Sequence, residues 1–190
     1  LLVENQNLIE ANAKLKKLSP FDGLTGLGNR EYASRRLEET LKHVGSRGGA
    51  ACCMLLTIGN FEAMRKQYPP AILSQLLLAV ARRLRQLVRP LDVVTRIGPN
   101  QFAIITHQPD LAHCNGTNFR RLHDGINLKA FKTSAGFLSV KVLLTVAACD
   151  ADSMPPDAES LVSLAQAQIP KAAETSAIVS VRFGGATLPV

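Results

Sequence analysis

The chain has 190 residues, of which 46% are hydrophobic and 5% aromatic, and its formal net charge is +7. The length suits one domain with an appendage, but no apolar run approaches the ~18–20 residues that span a bilayer. The positive charge attracts phosphate groups, yet the basic residues are dispersed and aromatic residues are scarce, which argues against a nucleic-acid partner.

The first 18 residues are predicted to form a helix that stands ahead of the domain. Leu1, Leu8 and Leu15 recur at heptad spacing, and Asn5 and Asn12 follow the first two leucines at a fixed interval. With leucines at d positions and asparagines at a positions, the pattern favours a parallel coiled coil and hence a homodimer through this helix. Because the repeat is short, a plain amphipathic helix is the alternative.

Strands and helices are mixed along the rest of the chain. Ser19-Pro20 ends the first helix, because proline steers the preceding residue out of the helical region, and Asn29 is a suitable cap for the next helix. Further helices are predicted over 30–44, 60–68, 71–88, 119–126 and 157–173, and strands over 51–58, 93–94, 102–105, 131–136, 138–148 and 177–183. Hairpins interrupt the βαβ alternation, which favours an α/β (α+β sandwich) fold with a ferredoxin-like core.

The most informative stretch is the predicted hairpin over residues 89–105. Its turn, Gly98-Pro-Asn-Gln101, contains no carboxylate, and an Arg89-Pro-Leu-Asp92 segment precedes its first strand. Two short apolar runs, Val93-Val94 and Phe102-Ala-Ile-Ile105, flank this turn and predict a strand–turn–strand structure.

Two segments resemble the GGDEF domains, the family of the diguanylate cyclases. Asp22-Gly-Leu-Thr-Gly-Leu-Gly-Asn-Arg30 is similar to the family's opening signature, Asp-x-Leu-Thr-Gly-Leu-x-Asn-Arg. Arg96-Ile-Gly-Pro-Asn-Gln-Phe102 resembles its Arg-Tyr-Gly-Gly-Asp-Glu-Phe hairpin, with Arg96, Gly98 and Phe102 retained. The resemblance implies a five-stranded central sheet surrounded by helices over residues 19–185, a signalling helix over residues 1–18 and a tail or linker over residues 186–190.

The resemblance also implies what active members do: they join two GTP molecules into cyclic di-GMP, using divalent metal held by carboxylates. Here the corresponding metal, base and turn positions carry other residues, namely Thr57, Gly59, Arg65, Ser74, Pro99, Asn100 and Gln101. Neutral side chains do not replace carboxylates at Mg²⁺, and proline removes a backbone donor. We therefore predict that the chain is not an enzyme, that it has no catalytic residue, and that it holds no metal or cofactor.

A second family feature is an inhibitory site for cyclic di-GMP, built on an Arg-x-x-Asp pair before the hairpin. Arg89 and Asp92 match this pair in type and spacing, and the family often adds an arginine from the following helix, for which Arg121 fits slightly better than Arg120. Arginine can fork onto phosphate or guanine, and aspartate can accept from guanine N–H groups. A surface ion pair without ligand and a site for another nucleotide are the alternatives.

These observations lead to two functional hypotheses for a regulatory domain in a larger bacterial signalling protein. In the first, the domain binds cyclic di-GMP at Arg89 and Asp92. In the second, it binds no nucleotide and is a dimerisation or interaction module that relays signals to other domains, such as a phosphodiesterase-like domain. The spacing of the four cysteines does not match a metal site, and they fit buried thiols in a reducing cytoplasm: Cys52, Cys53, Cys114 and Cys149. We therefore expect a cytoplasmic domain. The parent protein could still carry a membrane anchor elsewhere.

Overall fold

The computed structural model describes residues 2–114, 116–176 and 178–185; the predicted tail over 186–190 lies outside the described residues. The helices are α1 (Leu2–Leu18), α2 (Arg30–Arg47), α3 (Phe61–Gln67), α4 (Pro70–Leu87), α5 (Gly116–Ile126), α6 (Ala158–Ala167) and α7 (Ile169–Thr175). The strands are β1 (Ala50–Ile58), β2 (Val93–Gly98), β3 (Gln101–Gln108), β4 (Ala130–Thr133), β5 (Gly136–Ser139), β6 (Val142–Asp150) and β7 (Val179–Arg182).

A five-stranded sheet in the order β2-β3-β1-β6-β7 is the centre of the domain. β1 pairs antiparallel with β3 and β6, whereas β7 joins β6 in parallel. Every residue of β1 is buried, because this strand has a neighbour on both sides and helices on both faces. The predicted fold class, a five-stranded sheet surrounded by helices, is confirmed.

Alternate β1 side chains enter two separate cores. Cys52, Leu56 and Ile58 pack with buried residues of α3, α4 and α5, whereas Cys53 and Leu55 pack with those of α2 and α6. This division follows from the two-residue period of a strand. All four cysteines are buried and free, and burial raises the pKa of the Cys53 thiol to about 12.

Two predicted elements were wrong in their boundaries or partners. The segment 138–148 is not one strand: β5 pairs with β4 in a separate two-stranded ribbon, and β6 enters the central sheet. Asn60 marks the break, because its side chain donates to Ser139 O at 3.2 Å and accepts from Lys141 N at 2.9 Å. The helix predicted over 157–173 is split into α6 and α7, with Pro170 in the first turn of α7, where its missing N–H costs no helical bond.

Within the described residues, no helix is both long and apolar enough to cross a membrane. α1 is present over the predicted range, but Leu1 lies outside the described residues. Leu8 and Ile9 are 63% and 68% exposed, so this part of the helix does not pack on the domain.

Candidate functional site

The entry loop is tied to the hairpin by a half-buried ion pair between Asp22 and Arg96. Arg96 Nη1 lies 3.1 Å from Asp22 Oδ1, and Arg96 Nη2 donates to Pro99 O at 2.9 Å. Asp22 Oδ2 also accepts from Thr25 N and Thr25 Oγ1 at 2.9 and 2.7 Å. Burial opposes ionisation of this carboxyl, but the bonds from Thr25 and the charge of Arg96 lower its pKa below the usual value. Two signature residues therefore have a structural role.

Neutral side chains of the hairpin turn form hydrogen bonds to the end of β1. Gln101 Nε2 donates to Thr57 Oγ1 at 3.1 Å, and Asn100 Nδ2 donates to Ile58 O at 3.0 Å. Asn100 O accepts from Ile58 N at 2.9 Å, which joins the turn to the end of β1. These groups do not fit a divalent cation such as Mg²⁺, which takes carboxylate oxygens. Nowhere in the described part of the chain do three or more His, Cys, Asp or Glu residues form a group that could hold a metal ion.

The other three positions singled out from the motif lie on separate elements. Gly59 follows β1, and its N–H donates to Lys141 O at 2.8 Å. Arg65 lies on α3 and pairs with Glu62 at 3.3 Å, with both side chains mostly exposed. Ser74 is partly buried on α4. Among these positions the structure joins Thr57 to Gln101 by a direct bond, whereas Asn100 bonds to the neighbouring backbone of Ile58.

Arg89 and Asp92 lie between the end of α4 and the start of β2, where they bond to each other. Arg89 Nη2 and Nε lie 3.1 and 3.3 Å from the two Asp92 carboxylate oxygens, and Arg89 N donates to Asp92 Oδ2 at 2.9 Å. Arg89 Nη2 also donates to His107 O at 3.2 Å. The arginine side chain is 56% exposed, whereas that of the aspartate is 8% exposed. The carboxylate is thus held in place, and the guanidinium can reach solvent.

A cleft of about 150 Å³ opens beside this pair. Arg89, Asp92 and Arg121 all line it, with Arg121 contributed by α5. Arg120 is exposed on the same helix and is not among the described residues that line the cleft. Each residue along a helix is rotated by about 100° from the one before it, which separates these neighbours. Three of the four predicted binding residues are therefore together.

Polar groups that the sequence analysis did not identify complete this cleft. Thr106 and Gln108 of β3 line it and bond to each other at 3.4 Å, and Asn118 of α5 lines its opposite side. Alternation along β3 places residues 106 and 108 on one face, but only the position of α5 shows that this face meets Arg121. No local motif could have identified them.

Comparison with known proteins agrees with this fold. The family model described as "Diguanylate cyclase, GGDEF domain" matches residues 19–177. The diguanylate cyclase DgcS of Shewanella oneidensis is 29% identical over 141 residues, covering 74% of this chain and 45% of that protein. The chain therefore spans less than half the length of this relative.

Two solved structures share the fold. The structure of diguanylate cyclase SiaD of Pseudomonas aeruginosa with its activator SiaC has a TM-score of 0.76 at 23% identity, covering 94% of this chain and 67% of that one. The coiled coil and GGDEF domain of DgcB from Caulobacter crescentus, in complex with c-di-GMP, has a TM-score of 0.75 at 17% identity and covers 95% of both chains.

These comparisons contradict the prediction that the chain is not an enzyme, because relatives matching most of its length are named diguanylate cyclases. That prediction was wrong: it rested on the residue types at the metal, base and turn positions, from Thr57 to Gln101. The neutral side chains at these positions bear on how the turn would bind a cation. Catalytic activity, by contrast, is a property of the complete domain and its assembly.

Proposed function

The chain belongs to the GGDEF family, the diguanylate cyclase domains, and from that premise we propose that it binds cyclic di-GMP at the cleft between Arg89, Asp92 and Arg121. The domain is part of a signalling protein, in which the bound dinucleotide regulates the assembly or a neighbouring domain. One observation carries the proposal: residues from the α4–β2 loop and from α5, 29 positions apart in the chain (121 minus 92), line a single cleft.

The chemistry of the cleft suits a guanine with a nearby phosphate. Asp92 offers a fixed carboxylate, which can accept from the two adjacent N–H donors on the Watson–Crick edge of guanine. Arg89 is exposed enough to turn from Asp92 toward a phosphate or to stack on a purine, and Arg121 adds a second cation. The volume of about 150 Å³ would hold one base of the ligand and leave the second base for another surface.

The dinucleotide has to compete with the bond that Arg89 makes to Asp92. Because the Asp92 side chain is only 8% exposed, guanine N–H donors would have to replace the arginine side chain at its carboxylate, while the bond from Arg89 N remains. The released guanidinium would gain charged hydrogen bonds to the phosphate. The similar fold of DgcB, whose structure is described as a complex with c-di-GMP, supports this choice of ligand.

Calorimetric titration of the folded chain with cyclic di-GMP tests the site. We expect Arg89→Ala, Asp92→Asn and Arg121→Ala each to weaken binding by about tenfold or more, the loss typical of a charged hydrogen bond. Arg120→Ala is the matched control, because it removes the same charge one position away from the cleft. A flat titration of the unmodified chain, or equal losses at residues 120 and 121, would refute the site.

Dimerisation through α1 is a separate part of the proposal. Leu8 and Ile9 are exposed in the single chain, and the similar structure of DgcB is described as containing a coiled coil. Sedimentation should show a monomer–dimer equilibrium that weakens when the residues before Pro20 are deleted. A monomer at every concentration would contradict the dimer and leave the cleft untouched.

The second candidate is an interaction module that binds no nucleotide. The closed Arg89–Asp92 pair favours it, because each carboxylate oxygen already accepts a bond from the arginine side chain. The similar protein SiaD is described in complex with its activator SiaC. This supports the idea that the present domain acts through contacts with other signalling proteins. A flat titration by a folded, dimeric chain would favour this candidate.

A further inference from the structure

The outer face of the β4–β5 ribbon has no partner within the described chain. In the ribbon, Ala130 lies opposite Ser139 and Lys132 lies opposite Phe137. Phe131 and Leu138, which point the other way, are buried in the domain core. Leu128 N donates to Val140 O at 2.8 Å, which continues the pairing toward β6. The exposed outward positions are therefore Leu128, Ala130, Lys132, Phe137, Ser139 and Lys141.

Two large apolar side chains stand on this outer face. Phe137 is 71% exposed and Leu128 is 62% exposed. Leu128 also has a φ of 57°, a left-handed conformation that costs a residue with a side chain and that glycine or asparagine would adopt more readily. Packing inside the domain does not offset the backbone strain at Leu128 or the exposure of the two apolar side chains. These are features of a surface that contacts a partner.

The charged side chains of the ribbon and of the segments on either side of it are all positive. From residue 125 to residue 149 the chain has no aspartate or glutamate, whereas Lys129, Lys132 and Lys141 are present and exposed. Over the described residues none of these lysines takes part in an ion pair. α3 begins beside the ribbon, and its carboxylate Glu62 is paired with Arg65. The face thus carries two large apolar side chains together with positive lysine side chains.

The ribbon is held in a defined position. At its turn, Ser134 N and Oγ both bond to Gln75 Oε1 of α4, at 2.7 and 3.0 Å. At its other end, Asn60 bonds to Ser139 O and Lys141 N. Anchors at both ends present the outer face as a rigid unit, which lowers the entropy lost on docking.

We propose that this outer face docks on the surface of an anionic lipid bilayer. Protein interfaces are depleted in lysine, whereas at a bilayer surface long lysine side chains can extend to the headgroups while neighbouring aromatic and aliphatic side chains enter the acyl boundary. Each lysine near an anionic surface strengthens binding by about fivefold, and burial of one phenylalanine by about tenfold or more. The contact is peripheral and independent of the cyclic di-GMP cleft.

The absence of tryptophan from the chain permits a direct test. Phe137→Trp places the only indole on the face, and Leu91→Trp places it at a more exposed apolar position elsewhere, since Leu91 is 93% exposed. With vesicles of phosphatidylcholine and phosphatidylglycerol, the fluorescence of the first variant should shift to shorter wavelength, and that of the second should not. With vesicles of phosphatidylcholine alone, both should stay unchanged.

Cosedimentation of the unmodified chain with the same vesicles gives an independent measurement. Lys132→Gln combined with Lys141→Gln should reduce binding by about 25-fold. The control pair Lys42→Gln and Lys171→Gln removes the same charge from exposed positions on α2 and α7 and should reduce binding only slightly. No binding to anionic vesicles by the folded chain, or equal losses in the two pairs, would overturn the proposal. Self-association blocked by Phe137→Ser without lipid binding would instead identify a protein contact.

Discussion

Replacing Asp22 by asparagine tests whether the ion pair to Arg96 stabilises the entry loop on the hairpin. The side chains are only 18% and 15% exposed, and Arg96 Nε is buried without a partner among the described residues. Asparagine keeps an acceptor oxygen but removes the negative charge, so the Arg96 guanidinium would keep its bond to Pro99 O with no charged partner at residue 22. Removing one partner of a buried pair costs about 3–5 kcal/mol, and the residual exposure here reduces our expectation to about 2–3 kcal/mol.

Urea unfolding at neutral pH measures this change in the free energy of unfolding. Arg96→Met should also destabilise, but adding it to Asp22→Asn should cost less than the sum, because it removes the charge that the first change leaves unpaired. A loss below about 0.5 kcal/mol for Asp22→Asn would refute the reasoning and class the pair with exposed ion pairs.

The same pair gives the chain a predicted sensitivity to acid. The folded state lowers the pKa of the Asp22 carboxyl, so it binds fewer protons there than the unfolded chain. The contribution to stability is therefore complete above the unfolded pKa of ~3.9 and is lost as the pH falls through the folded pKa. Below about pH 4, the unmodified chain should lose stability more steeply than Asp22→Asn; parallel curves would contradict this assignment.

Three further changes test local features of the fold by thermal and urea unfolding. Asn29→Ala should destabilise by about 1–2 kcal/mol, because Asn29 Oδ1 caps Tyr32 N at 3.0 Å and its amide donates to Ser19 O at 2.7 Å; an unchanged midpoint would show that the cap is dispensable. Gly28→Ala should destabilise by about 1–3 kcal/mol, because the added Cβ would lie 2.2 Å from Tyr32 Cδ1. Combining it with Tyr32→Ala should relieve part of that loss. If the free-energy changes of the two substitutions simply add, the clash is contradicted. Thr145→Val should stabilise by about 0.5–1 kcal/mol, because the buried Thr145 hydroxyl has no hydrogen-bond partner in the described structure. A destabilised variant would show that the hydroxyl does have a hydrogen-bond partner.

Much of the secondary structure could be predicted because it follows from neighbours in the chain. The apolar run of β1, the helical period of α4 and the cap at Asn29 each need only a few adjacent residues. Boundaries were less accurate: α2 extends to Arg47, beyond the predicted end at residue 44, because Gly48 rather than Gly45 adopts the positive φ that ends the helix. Both glycines are present in the sequence, and packing decides which one terminates the helix.

The sequence by itself determined the family and the spacing of Arg89 and Asp92, because these depend on residue types at short, constant intervals; the five-stranded sheet followed from the family resemblance. Only the tertiary structure decided that Arg121 rather than Arg120 lines the cleft, that Arg96 pairs with Asp22, and that β5 leaves the central sheet. Each of those outcomes joins residues far apart in the chain, and such contacts depend on how whole elements pack. The positive outer face of the ribbon also depends on tertiary structure. From the sequence its exposed apolar residues look like ordinary strand residues, and only the strand pairing shows which side is buried.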